Sequence, residues 1–356
     1  MNSLKTYISH LQKSELVPLD VLRHQLERYR DESGQTILTD LSYVTERLIS
    51  DGLVTHWQNK KLLAGKNRGF FLGKYKILKH LGTGGMSTVY LAEHTVLRQQ
   101  RAIKVLAKKF IDRGNYLNRF RNEARAIAGL NHKNIVQAFD FDEVNGTYFL
   151  VMEYFRGINL WEFVAQKGVI PFRQAANLLC QAATGLHHAH EAGLVHRDVK
   201  PANLLFDQEG TVKVLDLGLA LFKDDAHSLT IANDDRVIGT TDFLAPEQAI
   251  DSHNVDKRVD VYGLGCTLYF CLTGEVPFPN GSAAERILAH QIKPIPNIRD
   301  KRPDCPQSLD TICQAMTPKK NRRAFARHGP GCQIPEWLCP RHPYQGVSTE
   351  AFCPRR

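Results

Sequence analysis

Three polar residues that could transfer a phosphoryl group stand close together near the middle of the chain. The segment from residue 195 to 205 reads Val-His-Arg-Asp-Val-Lys-Pro-Ala-Asn-Leu-Leu and contains Asp198, Lys200 and Asn203. A carboxylate can accept a hydroxyl proton, an ammonium group can stabilise a transferring phosphate, and an amide oxygen can bind magnesium. This spacing indicates phosphoryl-transfer chemistry on one loop.

A glycine-rich turn between two predicted strands could hold the phosphates. It reads Leu81-Gly-Thr-Gly-Gly-Met-Ser-Thr-Val, and Gly82, Gly84 and Gly85 allow the backbone to approach a phosphate and direct amide groups at it. A dinucleotide-binding loop would instead lead from a strand into a helix. Because the residues after Val89 continue as a strand, that alternative is poor.

A lysine in an apolar strand follows this turn, in Ala102-Ile-Lys-Val. One interpretation puts Lys104 on an edge strand with its ammonium group in solvent. Next to a glycine-rich turn, the other interpretation is a clamp for nucleotide phosphates. Such a lysine requires an acid to hold it, and Glu123 on the following predicted helix is the clear choice.

The elements around these residues fall into three regions. Residues 1–73 carry apolar positions at helical spacing, interrupted at Ser33-Gly34 and again at Asp51-Gly52, which predicts a small unit of three helices. This unit holds no cluster suited to chemistry, so a docking or regulatory role and a plain packing role both stay open. Residues 74–315 begin with strand patterns and continue with long helical ones. Residues 316–356 resemble neither.

Charge and composition narrow the class of protein. The net charge is +9, but residues 317–356 hold eight Lys/Arg and two Asp/Glu, so 8 − 2 = +6 belongs to the tail and only +3 to the rest. A solvated basic tail is therefore favoured over a nucleic-acid interface. No apolar run approaches the ~18 residues of a membrane span. The most apolar segment, Val259 to Leu272, is shorter and predicts a buried helix. The N-terminus lacks the pattern of a secretory signal. With unevenly spaced cysteines, these features predict a cytoplasmic protein with reduced thiols.

Six motifs resemble those of bacterial eukaryotic-like (Hanks-type) serine/threonine protein kinases, and they follow one another along the chain in the order typical of that family. They include Gly-Thr-Thr-Asp-Phe-Leu-Ala-Pro-Glu at 239–247 and Val-Asp-Val-Tyr-Gly-Leu-Gly at 259–265. The resemblance covers residues 74–315 and implies an α+β, bilobal protein kinase-like fold. Its N-lobe, about 74–154, would be an antiparallel sheet with one helix, and its C-lobe, about 155–315, would be mostly helical.

The resemblance assigns roles to the candidate residues. Asp198 would deprotonate the substrate hydroxyl, Lys200 would stabilise the γ-phosphate, and Thr240 would hydrogen-bond both. Asn203 and Asp216 would bind Mg²⁺. The residues implied to bind ATP are Leu81, Gly82, Thr83, Gly84, Gly85, Val89, Ala102, Lys104, Glu123, Met152, Glu153, Phe155 and Leu205.

The resemblance also implies roles for residues that support the catalytic loop at 195–205. Arg197, next to Asp198, requires an anion, which in the family is usually a phosphate on the activation segment. Asp260 resembles the helix acid that braces the catalytic loop backbone, the alternative being a solvated acid at a helix start. The candidate phosphorylation sites are Ser228, Thr230 and Thr241, and the acids Asp234 and Asp235 could supply part of the charge.

The chain departs from the family pattern at three places. Ser87 replaces the third glycine of the turn, and Leu217 replaces the usual phenylalanine after Asp216. After Met316 the expected final helix is missing, and we interpret residues 316–356 as an atypical, frame-altered or disordered tail. Arg322 or Arg323 could still pair with Glu247. A zinc site is disfavoured because its ligands lack paired C-x₂-C spacing, the residues in question being Cys332, Cys339, His342 and Cys353.

The resemblance implies an ATP- and Mg²⁺-dependent kinase that phosphorylates serine and threonine hydroxyls of proteins. Its expected partners are protein substrates and a second copy of itself for trans-autophosphorylation, with no nucleic acid. The alternative is a catalytically silent kinase-fold scaffold, which the altered tail and Ser87 favour weakly. The intact set of polar candidates argues against it.

Overall fold

Four helices form the N-terminal region. The structure is a computed structural model that describes residues 3–34, 38–84, 87–108, 115–217, 241–251 and 254–318. The helices are α1 (Leu4–Ser14), α2 (Leu19–Ser33), α3 (Leu41–Ser50) and α4 (His56–Leu63). Three were predicted, and α1 is additional. Its Tyr7 and Leu11 are fully buried in one cluster with residues of the other helices, namely Leu22, Tyr29, Val44, Leu48 and Leu62.

A six-stranded sheet follows the helices. Its strands are β1 (Phe71–Leu72), β2 (Tyr75–Thr83), β3 (Ser87–His94), β4 (Gln100–Leu106), β5 (Ala138–Val144) and β6 (Thr147–Glu153). They lie in the order β1-β2-β3-β4-β6-β5, and the pairs that place β4 between β3 and β6 are antiparallel. One compact unit contains residues 1–114 and 139–154, so the four helices and this sheet belong together.

The second compact unit contains residues 115–138 and 155–356 and is mostly helical where it is described. Its helices are α5 (Asn115–Ala128), α6 (Leu160–Lys167), α7 (Phe172–Glu191), α8 (Arg258–Thr273), α9 (Ala283–Ile292), α10 (Ile298–Lys301) and α11 (Gln307–Met316). A small sheet joins β7 (Ile158–Asn159), β8 (Leu204–Phe206) and β9 (Val212–Val214).

Helix α8 is the centre of this unit. Nearly every residue from Val259 to Leu272 is buried, as the apolar run predicted, and Gly274 ends the helix in the left-handed conformation at φ 78°. Glycine is favoured there because a side chain would strain that backbone. Among the described residues, no helix is both long and apolar enough to cross a membrane.

The cysteines correct one expectation. Cys180 on α7 is disulfide-bonded, so the prediction of reduced thiols is wrong at this residue, whose sulfur is covalently paired. The buried cysteines of α8 and α11, Cys266, Cys271 and Cys313, are free, as is Cys305. Burial raises the pKa of the Cys313 thiol to about 12, which keeps it in the unreactive protonated form.

Candidate active site

The predicted catalytic residues lie on the loop between α7 and β8. Lys200 Nζ donates a hydrogen bond to Asp198 Oδ2 at 3.0 Å, and Asn203 Nδ2 donates to the Asp198 backbone carbonyl at 2.8 Å and to Oδ2 at 3.4 Å. Residues 201–203 form a 3₁₀ turn that begins with Pro201. This turn brings Asn203 back over Asp198, so the structure gathers all three polar groups around one carboxylate.

A buried carboxylate holds the backbone of this loop. Asp260, in the first turn of α8, is 1% exposed. Its Oδ2 accepts a hydrogen bond from the His196 amide at 2.8 Å and its Oδ1 accepts one from the Arg197 amide at 2.7 Å. The interpretation of Asp260 as a brace is confirmed, and a solvated helix-start acid is excluded.

The brace holds a strained residue in place. Arg197 has φ 62°, a left-handed conformation that is uncommon outside glycine. Besides the Asp260 bond to its amide, its carbonyl accepts a hydrogen bond from Gln248 Nε2 at 2.8 Å. Both backbone polar groups of Arg197 are therefore fixed, and the turn that presents Asp198 depends on them.

His196 connects the catalytic loop to the Asp216 segment. Its ring is fully buried, with Nδ1 accepting from the Asp198 amide at 3.2 Å and Nε2 lying 2.7 Å from the Leu215 carbonyl. Because Nδ1 is the acceptor, the proton is on Nε2, which donates to Leu215. The Leu215 amide in turn donates to the Asn203 carbonyl at 2.9 Å. The two predicted magnesium ligands therefore sit on hydrogen-bonded segments.

Asp216 itself has φ 55°, the second strained residue of this region. The residue after it, Leu217, is 2% exposed. Leucine, which stands here in place of the family's phenylalanine, is an apolar and buried side chain at this position.

The phosphate-loop candidates lie in the first unit. Gly82 and Thr83 pair with Val89 and Thr88 across β2 and β3, and the Gly84 amide donates to the Ser87 carbonyl at 2.8 Å. The turn thus joins two strands, as expected, and does not enter a helix. Leu81 is 40% exposed.

Lys104 lies on a central strand. It is 2% exposed and is paired with Val89 of β3 on one side and Leu150 of β6 on the other. The edge-strand interpretation is therefore wrong. Ala102, two residues earlier, lies opposite Met152. Because residues two apart and directly opposed residues share a face of a sheet, Val89, Ala102, Lys104 and Met152 project from the same side.

Other candidates are placed separately or lie outside the described residues. Glu153 ends β6 opposite Arg101, and Leu205 pairs with Asn159 and Lys213 in the small sheet. Phe155, in the second unit, is partly buried, and Glu123 lies on α5. The candidates outside the described residues are Gly85, Ser228, Thr230, Asp234, Asp235, Thr240, Arg322, Arg323 and the possible zinc ligands. Thr241 is described, and it is 5% exposed.

Two groups that support the loop were not found from the sequence. His190 on α7 lies with Nε2 2.7 Å from Asp260 Oδ2. Gln248, directly after the Ala-Pro-Glu motif, accepts from the Ala245 amide at 3.2 Å while it donates to Arg197. Gln248 stands directly after a recognised motif, which was its only signal. His190 carried none, because its partner Asp260 lies 70 residues away in the sequence.

Gly263 of α8 is required for close approach of the helix to the catalytic loop. A Cβ at this position would lie 2.6 Å from the Val199 carbonyl oxygen. Gly263→Ala is expected to lower the free energy of unfolding by about 1–3 kcal/mol and to reduce kcat, because the loop backbone must shift. Thermal unfolding and initial rates check this. Gly129→Ala is the control, since its nearest atom would be 3.7 Å away; equal effects from both variants would contradict the prediction.

Together the glycine-rich sheet unit and the helical unit with its braced Asp198 loop define a kinase-like phosphotransferase fold. The protein kinase domain family matches residues 75–328, more than half of the chain. This protein therefore belongs to the protein kinase family, and the α+β, bilobal kinase-like fold expected from the sequence is confirmed.

Two similar proteins are kinases from bacteria. The chain is 38% identical over 247 residues to serine/threonine-protein kinase PrkC of Bacillus subtilis, covering 69% of this chain and 38% of that protein. It is 39% identical over 245 residues to serine/threonine-protein kinase PknB of Mycolicibacterium smegmatis, covering 67% and 39%. The predicted resemblance to bacterial Hanks-type kinases is confirmed. The match spans well under half of the length of these relatives.

A solved structure supports the fold. The kinase domain of PknI from Mycobacterium tuberculosis superposes with a TM-score of 0.54 at 25% identity, covering 71% of this chain and 91% of that domain.

Proposed function

We propose that this protein is a serine/threonine protein kinase that transfers the γ-phosphate of ATP to protein hydroxyls in the presence of Mg²⁺. The observation that carries the proposal is the Asp198 carboxylate, whose Oδ2 is 3.0 Å from Lys200 Nζ on a loop braced by Asp260. The names of the similar bacterial proteins support the serine/threonine class.

The donor set fits Mg²⁺. The amide nitrogen of Asn203 donates a hydrogen bond to Asp198, which fixes the orientation of the side chain. The amide oxygen, Oδ1, can then serve as a ligand for a metal ion. Asp216, tied to the same turn through Leu215, offers a carboxylate. Mg²⁺ prefers such oxygen ligands. When bound, the ion would neutralise negative charge on the nucleotide phosphates.

Each residue of the loop has a proposed task in the reaction. Asp198 orients the hydroxyl of the substrate and accepts its proton at a carboxylate oxygen as the hydroxyl oxygen bonds to the γ-phosphorus. Lys200, held beside that carboxylate, stabilises the charge of the transferred phosphoryl group. The bond between the γ-phosphorus and its bridging oxygen breaks, and ADP leaves.

The test is an assay of the purified full chain with radiolabelled ATP, Mg²⁺ and a general protein substrate, followed by phosphoamino acid analysis. We expect phosphoserine and phosphothreonine on the substrate and on the chain itself. Autophosphorylation between two copies should be faster per molecule at higher protein concentration. Background signal, equal to that of a variant without Asp198, would instead indicate the silent scaffold.

Lys104 is proposed to hold the ATP phosphates. Lys104→Met is expected to weaken MgATP binding about tenfold to a hundredfold, since a charge-assisted hydrogen bond is lost. Calorimetric titration measures this, and circular dichroism verifies the fold. Lys79→Met is the matched control, because it removes the same charge from an exposed position of the same sheet. Equal loss of affinity in both variants would show that net charge alone, and not Lys104, matters.

A further inference from the structure

Helix α4 is bonded directly to the strand that leads into the glycine-rich turn. Thr55 Oγ1 donates a hydrogen bond to the Leu78 carbonyl, and Gln58 Nε2 donates one to the Ile77 carbonyl, both at 2.6 Å. Gln58 is fully buried. One strand residue earlier, Lys76 Nζ donates to the Leu16 carbonyl at 2.9 Å. Three successive residues of β2, Lys76 to Leu78, are therefore hydrogen-bonded to the helical region.

The two bonds to backbone carbonyls, at Ile77 and Leu78, fall just beyond the residues of β2 that pair with β1. β1 pairs only with Tyr75 and Lys76, so it covers the outer edge of β2 for two residues. The pairing of β2 with β3 is irregular between Ile77 and Lys79, which leaves Leu78 out of register as a bulge. A bulge locally disrupts the ladder and bends the strand. Thr55 and Gln58 hold the carbonyls at this bend.

The two donors are themselves fixed. Thr55 and Gln58 form a capping box at the start of α4, in which the Gln58 amide donates to Thr55 Oγ1 and the Thr55 amide donates to Gln58 Oε1. The side chains therefore have little freedom to give up when they bind the strand. This makes α4 a rigid support for β2.

An aromatic contact chain continues from α4 to the turn. The Trp57 ring lies 5.9 Å from the Tyr90 ring of β3, edge to face, and Tyr90 lies 5.7 Å from the His80 ring of β2. His80 Nε2 is 2.8 Å from Thr83 Oγ1. Thr83 belongs to the glycine-rich turn, so side-chain contacts run from the helix to the turn.

We infer that the N-terminal helices position the glycine-rich turn for nucleotide, with Thr55 and Gln58 as positioning residues. The inference rests on the proposed function, because the turn must bind ATP for its position to affect the reaction. It assigns a role to a region whose sequence holds no catalytic cluster. The alternative is a packing module whose loss lowers stability without affecting the turn in particular.

The experiment compares Thr55→Val and Gln58→Leu with Tyr7→Phe in the full chain. Tyr7→Phe removes a buried hydrogen bond, from Tyr7 Oη to Asn59 Oδ1 of the same α4 at 2.7 Å, without removing a group that bonds β2. Each of the first two variants should raise the KM for ATP about threefold to tenfold with little change in kcat at saturating ATP. Tyr7→Phe should leave KM unchanged although it also destabilises α4. Thr55→Ser should keep the wild-type KM, because serine retains the hydroxyl that Thr55→Val removes.

A second measurement does not depend on nucleotide. Amide hydrogen exchange of the unliganded chain should accelerate at residues 79–84 in Gln58→Leu and stay at the wild-type rate in Tyr7→Phe. Equal exchange and equal KM in these two variants would overturn the inference. If the wild-type chain took up no MgATP, the proposed function would fail, and the exchange rates alone would decide whether α4 positions the turn.

Discussion

Asp198→Asn is expected to reduce kcat by about 10²–10⁴-fold while MgATP binding is retained. Asparagine keeps the size of the side chain and can still contact Lys200 and Asn203, but it cannot accept the proton of the substrate hydroxyl. Loss of a general base of this kind accounts for a rate effect of that size. Initial rates with a protein substrate and calorimetric titration with MgATP measure the two properties separately.

The control for this variant is Glu209→Gln. Glu209 is an exposed acid of the same unit, so its replacement removes one negative charge without touching the loop. Rates close to wild type in both variants would show that Asp198 is not the base. A parallel loss of nucleotide affinity and kcat in Asp198→Asn would point to a structural role of the carboxylate in holding Lys200 and Asn203.

The catalytic loop could be predicted because its residues are chemically distinctive. An acid, a lysine and an asparagine at fixed spacing identify a phosphotransfer site before any coordinates are known, and a long apolar run identifies α8 equally well. Such signals survive in a single sequence because the side chains themselves perform the chemistry or form the core.

The supporting contacts could not be predicted in the same way. Thr55, Gln58 and Gln248 are neutral polar residues whose partners are backbone carbonyls, and a carbonyl carries no sequence signal. The bulge at Leu78 has the same origin, since register is a property of two strands together. Helix α1 was missed although Leu4, Tyr7, Ile8 and Leu11 stand at helical spacing, so in this case the sequence did carry the signal.

Asp260 presents the opposite case, a residue for which sequence and structure agree and which is expected to have the largest effect on stability. Asp260→Asn should lower the free energy of unfolding by about 3 kcal/mol. The amide has one acceptor oxygen in place of two, so either the His196 or the Arg197 backbone N–H, now desolvated, faces an NH₂ group. A buried donor left unpaired next to a lost charge carries a penalty of this order.

The kcat of Asp260→Asn should fall by more than the loss of folded protein accounts for. The left-handed Arg197 backbone is held by the Asp260 bond to its amide and the Gln248 bond to its carbonyl, so loss of the first lets the turn before Asp198 relax. Denaturant unfolding and initial rates, taken at a temperature where the variant stays folded, measure the two effects. Asp300→Asn, an exposed acid in the same unit, should change stability by no more than about 0.5 kcal/mol. An Asp260→Asn variant with the unfolding midpoint and kcat of wild type would mean that the buried carboxylate does not hold the loop, and that the strain at Arg197 is supported by Gln248 alone.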